Sequence, residues 1–219
     1  MRLLHRLQGL VERTYDVANP HRVTDYLVTC PQLAASLGLG QAAVATGEQV
    51  LVSGDQEEVD LAVFLDRGVL DELRAENPMR ALHDGNLDHF WTALEGISHF
   101  VYLVWSARMG RQVTRLELEL QAEVDKFVLT AMLVSAQRGG RVPAELHRWL
   151  FDLPEIDPSL AAEAAGRYAE ANRYAGRYCR SLAQRYLTDG AGASMMPELR
   201  RFYRLSQGGK IRRIEADRY

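Results

Sequence analysis

Cysteine is scarce: Cys30 and Cys179 are the only two, far apart and in no metal-ligand spacing. That excludes a disulfide framework and points to a reducing compartment. Lysine is equally scarce, since Lys126 and Lys210 are the only lysines among 26 basic residues. The phosphate-cradling patterns G-x-G-x-x-G and G-x-x-x-x-G-K-[ST] do not occur, nor does the G-x-S-x-G elbow or the H-E-x-x-H of zinc peptidases. Dinucleotide, P-loop, serine-hydrolase and zincin chemistry therefore have no support in the sequence. A long apolar run free of charge is missing too. The best candidate, residues 87–107, carries Asp88, His89, Glu95 and His99, which argues against a membrane span. The opening stretch MRLLHRLQGLVERTYDV has a charge every few residues and is unlike a signal peptide. A cytoplasmic location is the expectation.

Two apolar segments separated by a short glycine-containing break organise the chain, LDHFWTALEGISHFVYLVWSA (87–107) and TRLELELQAEVDKFVLTAMLVSAQ (114–137). In the first, Asp88, Thr92, Glu95, His99, Tyr102 and Ser106 recur at spacings of three and four, so they form one polar stripe on an otherwise apolar helix. Such a helix belongs in a core, and Asn86 is its expected N-cap. The second segment alternates at Leu116–Gln121 like a strand. Its Leu, Glu, Gln and Ala content and the capping box Thr114-Arg-Leu-Glu117 favour a helix over 115–137.

Around this pair the patterns predict an amphipathic helix over 2–17, a short strand over 23–29 and a helical turn at 32–37. A hairpin of strands 49–53 and 58–65 follows, then a helix from Val69 to Ala75. Pro143 begins a short helix to Phe151. DLPEIDP (152–158) reads as a linker, with Asp157-Pro158 starting a long alanine-rich helix to Leu187. Residues 188–194 read as a loop, Pro197–Ser206 as a helix ended by Gly208-Gly209, and the tail carries no firm signal. The expected architecture is α+β and mainly helical, with a small antiparallel N-terminal sheet packed on the central helix pair. The expected division is a core domain over 1–151 and a C-terminal helical segment over 152–219 docked on it.

Four constellations could carry chemistry. Glu95 and His99 are i,i+4, as are Glu119 and Glu123, so antiparallel helices would bring three carboxylates and an imidazole together. That is a ligand set for divalent Zn, Fe or Mn, although it lacks the paired Glu-x-x-His of di-iron bundles. His83, Asp84, Asp88 and His89 crowd a helix entry, where capping is the plainer reading. Arg173, Arg177, Arg180, Arg200, Arg201 and Arg204 lie among tyrosines in a half of the chain (141–219) with 14 basic against 10 acidic residues, whereas residues 1–140 carry 12 against 19. Such a surface suits nucleic acid or an acidic protein face. Asp55, Glu57, Glu58 and Asp60 surround the hairpin turn and lack EF-hand order. With no catalytic motif in view, the leading expectation is a non-enzymatic interaction or regulatory protein, adaptor-like, with a protein partner or self-association. The alternatives are a metal-dependent enzyme with its site between the central helices, and nucleic-acid binding through the Arg/Tyr-rich helices.

Overall fold

The computed structural model describes residues 1–37, 48–54, 59–152, 160–187 and 192–217. The glycines at 38, 40 and 47, the acidic residues at 55, 57 and 58, the Asp157-Pro158 helix start and residues 188–191 lie outside them, as does the side chain of Asp60.

Helix α1 (Arg2–Tyr15) buries Leu4, Leu7, Val11 and Tyr15 along one face. Strand β1 (Leu27–Val28) and helix α2 (Pro31–Ser36) precede the hairpin of β2 (Glu48–Gly54) and β3 (Val59–Leu65). Helix α3 (Arg67–Ala75) leads to the long central helices α4 (Asp84–Arg108) and α5 (Arg115–Gln137). Helices α6 (Leu146–Phe151), α7 (Ala162–Leu182), α8 (Met196–Tyr203) and α9 (Gln207–Ala216) complete the chain. The fold is mostly helical with one small sheet, as the patterns predict.

The sheet differs from expectation in one respect. β2 and β3 pair antiparallel with Val50 opposite Val63, but β1 pairs parallel to β3 on its other side, in the order β1-β3-β2. The sheet is therefore mixed. The 23–29 segment contributes only two strand residues because a 3-10 turn takes Val23–Asp25. Val63 N–H donates to the Tyr26 carbonyl at 2.9 Å and ties the short strand in place.

α4 starts earlier than Asn86. His83 is the N-cap, its Nδ1 accepting from the Gly85 N–H at 3.2 Å, while Asn86 Oδ1 accepts from the His83 N–H at 3.0 Å. α5 is helical throughout, so composition and the Thr114 cap outweigh the local alternation. Thr114 Oγ1 accepts from the Glu117 N–H at 3.1 Å. Three cross-links fix α4 antiparallel to α5. Trp91 Nε1 donates to Thr130 Oγ1 at 2.9 Å, Ser98 Oγ to Asp125 Oδ2 at 2.5 Å, and Tyr102 OH to Glu117 Oε1 at 2.5 Å.

The main core draws on Leu7, Val63, Leu73, Phe100, Phe127 and Phe202 among others, and Ala34, Phe64 and Val28 form a small second cluster. The sheet packs on α4, and α7 packs along α5. The tail forms α9, and Gly208-Gly209 lie in its first turn instead of ending α8. Ser206 is the cap, accepting from the Gly209 N–H at 3.4 Å. α9 sinks Lys210 into the core, where its ammonium donates to Gln121 Oε1 at 2.7 Å and lies 4.4 Å from the Tyr102 ring centroid. Among the described residues no helix is long and apolar enough to cross a membrane.

Candidate metal centre

Glu95 and His99 sit one turn apart on α4 and face α5. Glu95, His99 and Glu119 each present a ligand atom, and these atoms lie within 4.8 Å of one another. His99 is 5% exposed and Glu119 8%, so the groups are withdrawn from bulk water. Imidazole and carboxylate donors at this spacing suit Zn, Mn or Fe.

Two further residues complete the cluster. Glu48, from the start of β2, places Oε1 3.7 Å from His99 Nδ1, while His99 Nε2 lies 3.6 Å from Glu119 Oε2. Both separations exceed a hydrogen bond but allow charge interaction. His99 Nε2 is buried and has no hydrogen-bond partner, which is unusual for a ring nitrogen inside a protein. Lys126, one turn beyond Ala122 on α5, holds Glu95 Oε2 at 2.5 Å and Glu123 Oε1 at 2.8 Å. Glu123 therefore faces the ammonium and is not among the three groups that converge.

Around Lys126 the charge is crowded: among the described residues its ammonium and the His99 ring face the carboxylates of Glu48, Glu95, Glu119 and Glu123. Buried charge that lacks compensation is costly, and the site answers by holding protons. Burial, reinforced by Glu95 and Glu119, pushes Glu48 up to about 7 against the opposing pull of His99. Burial likewise raises Glu123 despite Lys126. For Glu95 burial acts upward, but Lys126 and His99 outweigh it and the carboxyl lies below its ordinary range. For His99 burial acts downward, but Glu119 and Glu48 outweigh it and the imidazole holds its proton well above the ordinary range. A divalent cation would replace these protons.

Gly96 sets how closely the sheet approaches. A Cβ there would lie 2.9 Å from Glu48 Oε2 and 3.3 Å from Leu65 Cδ2 and Val63 Cγ1. We therefore expect Gly96→Val to lower unfolding stability by about 1–3 kcal/mol and to push Glu48 away from His99. Chemical denaturation of the variant against wild type checks the first effect. A stability equal to wild type would contradict the close approach.

His99, Glu119 and Glu48 line a cleft of about 430 Å³ together with Gln49, Val50, Leu103, Arg115, Arg167 and Tyr168, while Glu95 lies behind them against Lys126. Compared with family models, characterised proteins and solved structures, the chain matches none of them. The functional reading therefore rests on this geometry alone.

The remaining constellations lie elsewhere. His83 caps α4 and reaches Glu76 at 3.5 Å. Arg200 donates to the Arg13 and Thr14 carbonyls at 3.3 Å, and Arg204 to those of Tyr15 and Asp16 at 3.0 and 3.1 Å. These two arginines close the C-terminal end of α1, where carbonyls lack helical partners. Arg180 pairs with Asp152 at 3.7 Å and Arg173 with Glu170 at 4.0 Å, while Arg201 is exposed. Arg177 also lies on α7, next to the buried Tyr178.

The expectation of a purely non-enzymatic interaction protein is corrected by the buried Glu95–His99–Glu119 cluster. That expectation relied on the absence of a linear motif, whereas this site is assembled from two helices and a strand edge. Sequence reasoning missed Glu48, which lies one residue before the strand it identified. It also missed the role of Lys126, although the rarity of lysine was a usable signal.

Proposed function

We propose that this protein is a metal-dependent enzyme whose divalent ion is held by Glu95, His99 and Glu119 between the two central helices. The observation that carries the reading is His99 Nε2, a buried ring nitrogen without a hydrogen-bond partner, 3.6 Å from Glu119 Oε2 in a cluster that also includes Glu95. Ligating histidines are commonly oriented by a carboxylate on the other ring nitrogen. Glu48 stands on that side, so with the proton on Nδ1 the Nε2 lone pair points to the metal position. Glu48 is in this sense a positioning residue, and Glu123 and Lys126 hold Glu95 in place.

Three protein ligands leave room for water or substrate, which is the usual mark of a catalytic metal site as opposed to a closed structural one. The chemistry supplied by such an ion is Lewis-acid polarisation and water activation near neutral pH. The chain's own contribution is a water-poor floor, a fixed imidazole and a cleft of metabolite size above it.

The test is elemental analysis of untagged protein after incubation with Zn, Mn or Fe and removal of excess metal. Wild type is expected to retain one ion per chain, and Glu95→Ala/Glu119→Ala none, with the circular dichroism spectra alike. A wild type that retains no ion and shows no melting shift with any of the three metals overturns the reading.

A further inference from the structure

The cleft above the cluster has a cationic side. Arg115 and Arg167 line it together with Tyr168 and Gln49. Arg167 Nε and Gln49 Oε1 are both buried and lack hydrogen-bond partners, so each has bonding capacity for something the fold does not supply. Arg115 is the first residue of α5, directly after the Thr114 cap. A cation there opposes the helix dipole, which favours negative charge at this end, so helix stability does not account for it. Neither Arg115 nor Arg167 has an ion-pair partner among the described residues, in contrast to Arg111, Arg180, Arg185 and Arg213, which are paired with carboxylates.

A second cleft of about 570 Å³ adjoins this one and shares Leu103 and Val113 as a common wall. Its lining is largely apolar, with Tyr26, Leu61, Val104 and Ala107. One cleft therefore carries two of the metal-ligand residues and a cationic side, and an apolar cleft lies beside it.

We propose that the substrate is an organic anion with an apolar body, its head group held by Arg115 and Arg167 beside His99 and Glu119 and its body running along the Leu103–Val113 wall. Arginine forks bind carboxylate and phosphate oxygens in the same bidentate manner, so the shared chemistry is the anionic oxygen head. The inference rests on the metal reading, since a bound cation is what would draw such a head toward the carboxylates of Glu48 and Glu119 that line the cleft.

The test is isothermal titration of hexanoate, hexyl phosphate and hexan-1-ol into full-length protein loaded with the metal it retains. Hexanoate or hexyl phosphate is expected to bind, and whichever binds more tightly assigns the head group. In Arg167→Leu and Arg115→Leu, checked for unchanged melting, binding is expected to weaken at least about tenfold, and hexan-1-ol is expected not to bind. Binding of the alcohol as tight as that of the anions, equal binding by the arginine variants, or no binding of either anion overturns the inference. The same titration on Glu95→Ala/Glu119→Ala, which removes the two metal-ligand carboxylates, separates the two readings. Arginine-dependent anion binding there, with wild type retaining no ion, would overturn the metal reading and leave the anion site standing. Retained metal with no anion binding would do the reverse.

Discussion

Lys126→Met, stripped of metal, is expected to melt on the order of 10 °C below stripped wild type, and to recover most of that loss when Zn or Mn is added. The ammonium lies 2.5 Å from Glu95 and 2.8 Å from Glu123, and its side chain is 12% exposed. Burial by itself would release its proton, but Glu123 and Glu95 outweigh that and hold the ammonium charged. Removing one partner of a buried ion pair leaves the other charge uncompensated, which costs about 3–5 kcal/mol. In a chain of this size each kcal/mol corresponds to roughly 2–4 °C. In this variant no ammonium faces Glu95 and Glu123, so a divalent ion has more to neutralise than in wild type. Added metal should therefore raise the melting temperature of Lys126→Met by more than that of wild type. Equal melting of the two stripped proteins, or equal shifts on adding metal, would show that Lys126 and the ion do not share the carboxylates.

Wild type is expected to gain about 3 kcal/mol of unfolding stability relative to Lys210→Met between pH 7 and 9.5. Lys210 is fully buried. Burial, with Arg111 adding to it, depresses the ammonium to about 7, while Glu117 and Asp125 pull the other way. A group whose pKa is lowered by folding contributes stability above its unfolded pKa and loses it as pH falls through the folded value. The window is therefore about pH 7 to 10.5, the neutral amine being the comfortable form inside. The neighbouring groups act at the edges of this window. Burial raises Asp125 to about 6 despite its donors Ser98, Tyr15 and Gln121, so its own contribution is lost as pH climbs from about 4 to 6. Tyr15 and Tyr203, held well above 10 by burial with Asp125 adding to it, erode stability only at the alkaline end. These groups are present in both proteins, and because Asp125 also feels Lys210 the difference between them reports Lys210 together with that coupling. Urea unfolding at the two pH values measures it, and parallel pH dependence of wild type and Lys210→Met would contradict the assignment.

Much of this architecture is legible in the chain's periodicity. The polar stripe on 87–107 identifies the buried helix, and composition with the Thr114 cap decides helix over strand for its partner, although the Glu117 carboxylate of the expected box turns to Tyr102, Arg111 and Gln207 instead; the two helices then place Glu95, His99 and Glu119 on facing surfaces. The hairpin follows from alternation and a turn. What could not be read is where elements meet without a local signal. Glu48 reaches His99 because Gly96 lets β2 come close, and no window of sequence contains both. β1 runs parallel to β3, a pairing set by tertiary placement that two residues cannot encode. α9 escaped notice because paired glycines usually end helices, and the Ser206 cap before them carried the contrary information. The arginines of α8 read as a surface stripe, but Arg200 and Arg204 close the end of α1, with bonded residues 186 to 189 positions apart along the chain. Lys126 and Lys210, the only two lysines, both prove to be buried or nearly so and to sit against carboxylates or a carbonyl oxygen, an outcome that composition alone does not distinguish from codon bias.

The central claim is that Glu95, His99 and Glu119 hold a divalent ion. Crystals grown with Zn or Mn, measured at the absorption edge of the metal, test it most directly. The account predicts one anomalous peak per chain, within coordination distance of His99 Nε2 and of one carboxylate oxygen each from Glu95 and Glu119. Density with no anomalous peak between the three side chains would contradict it.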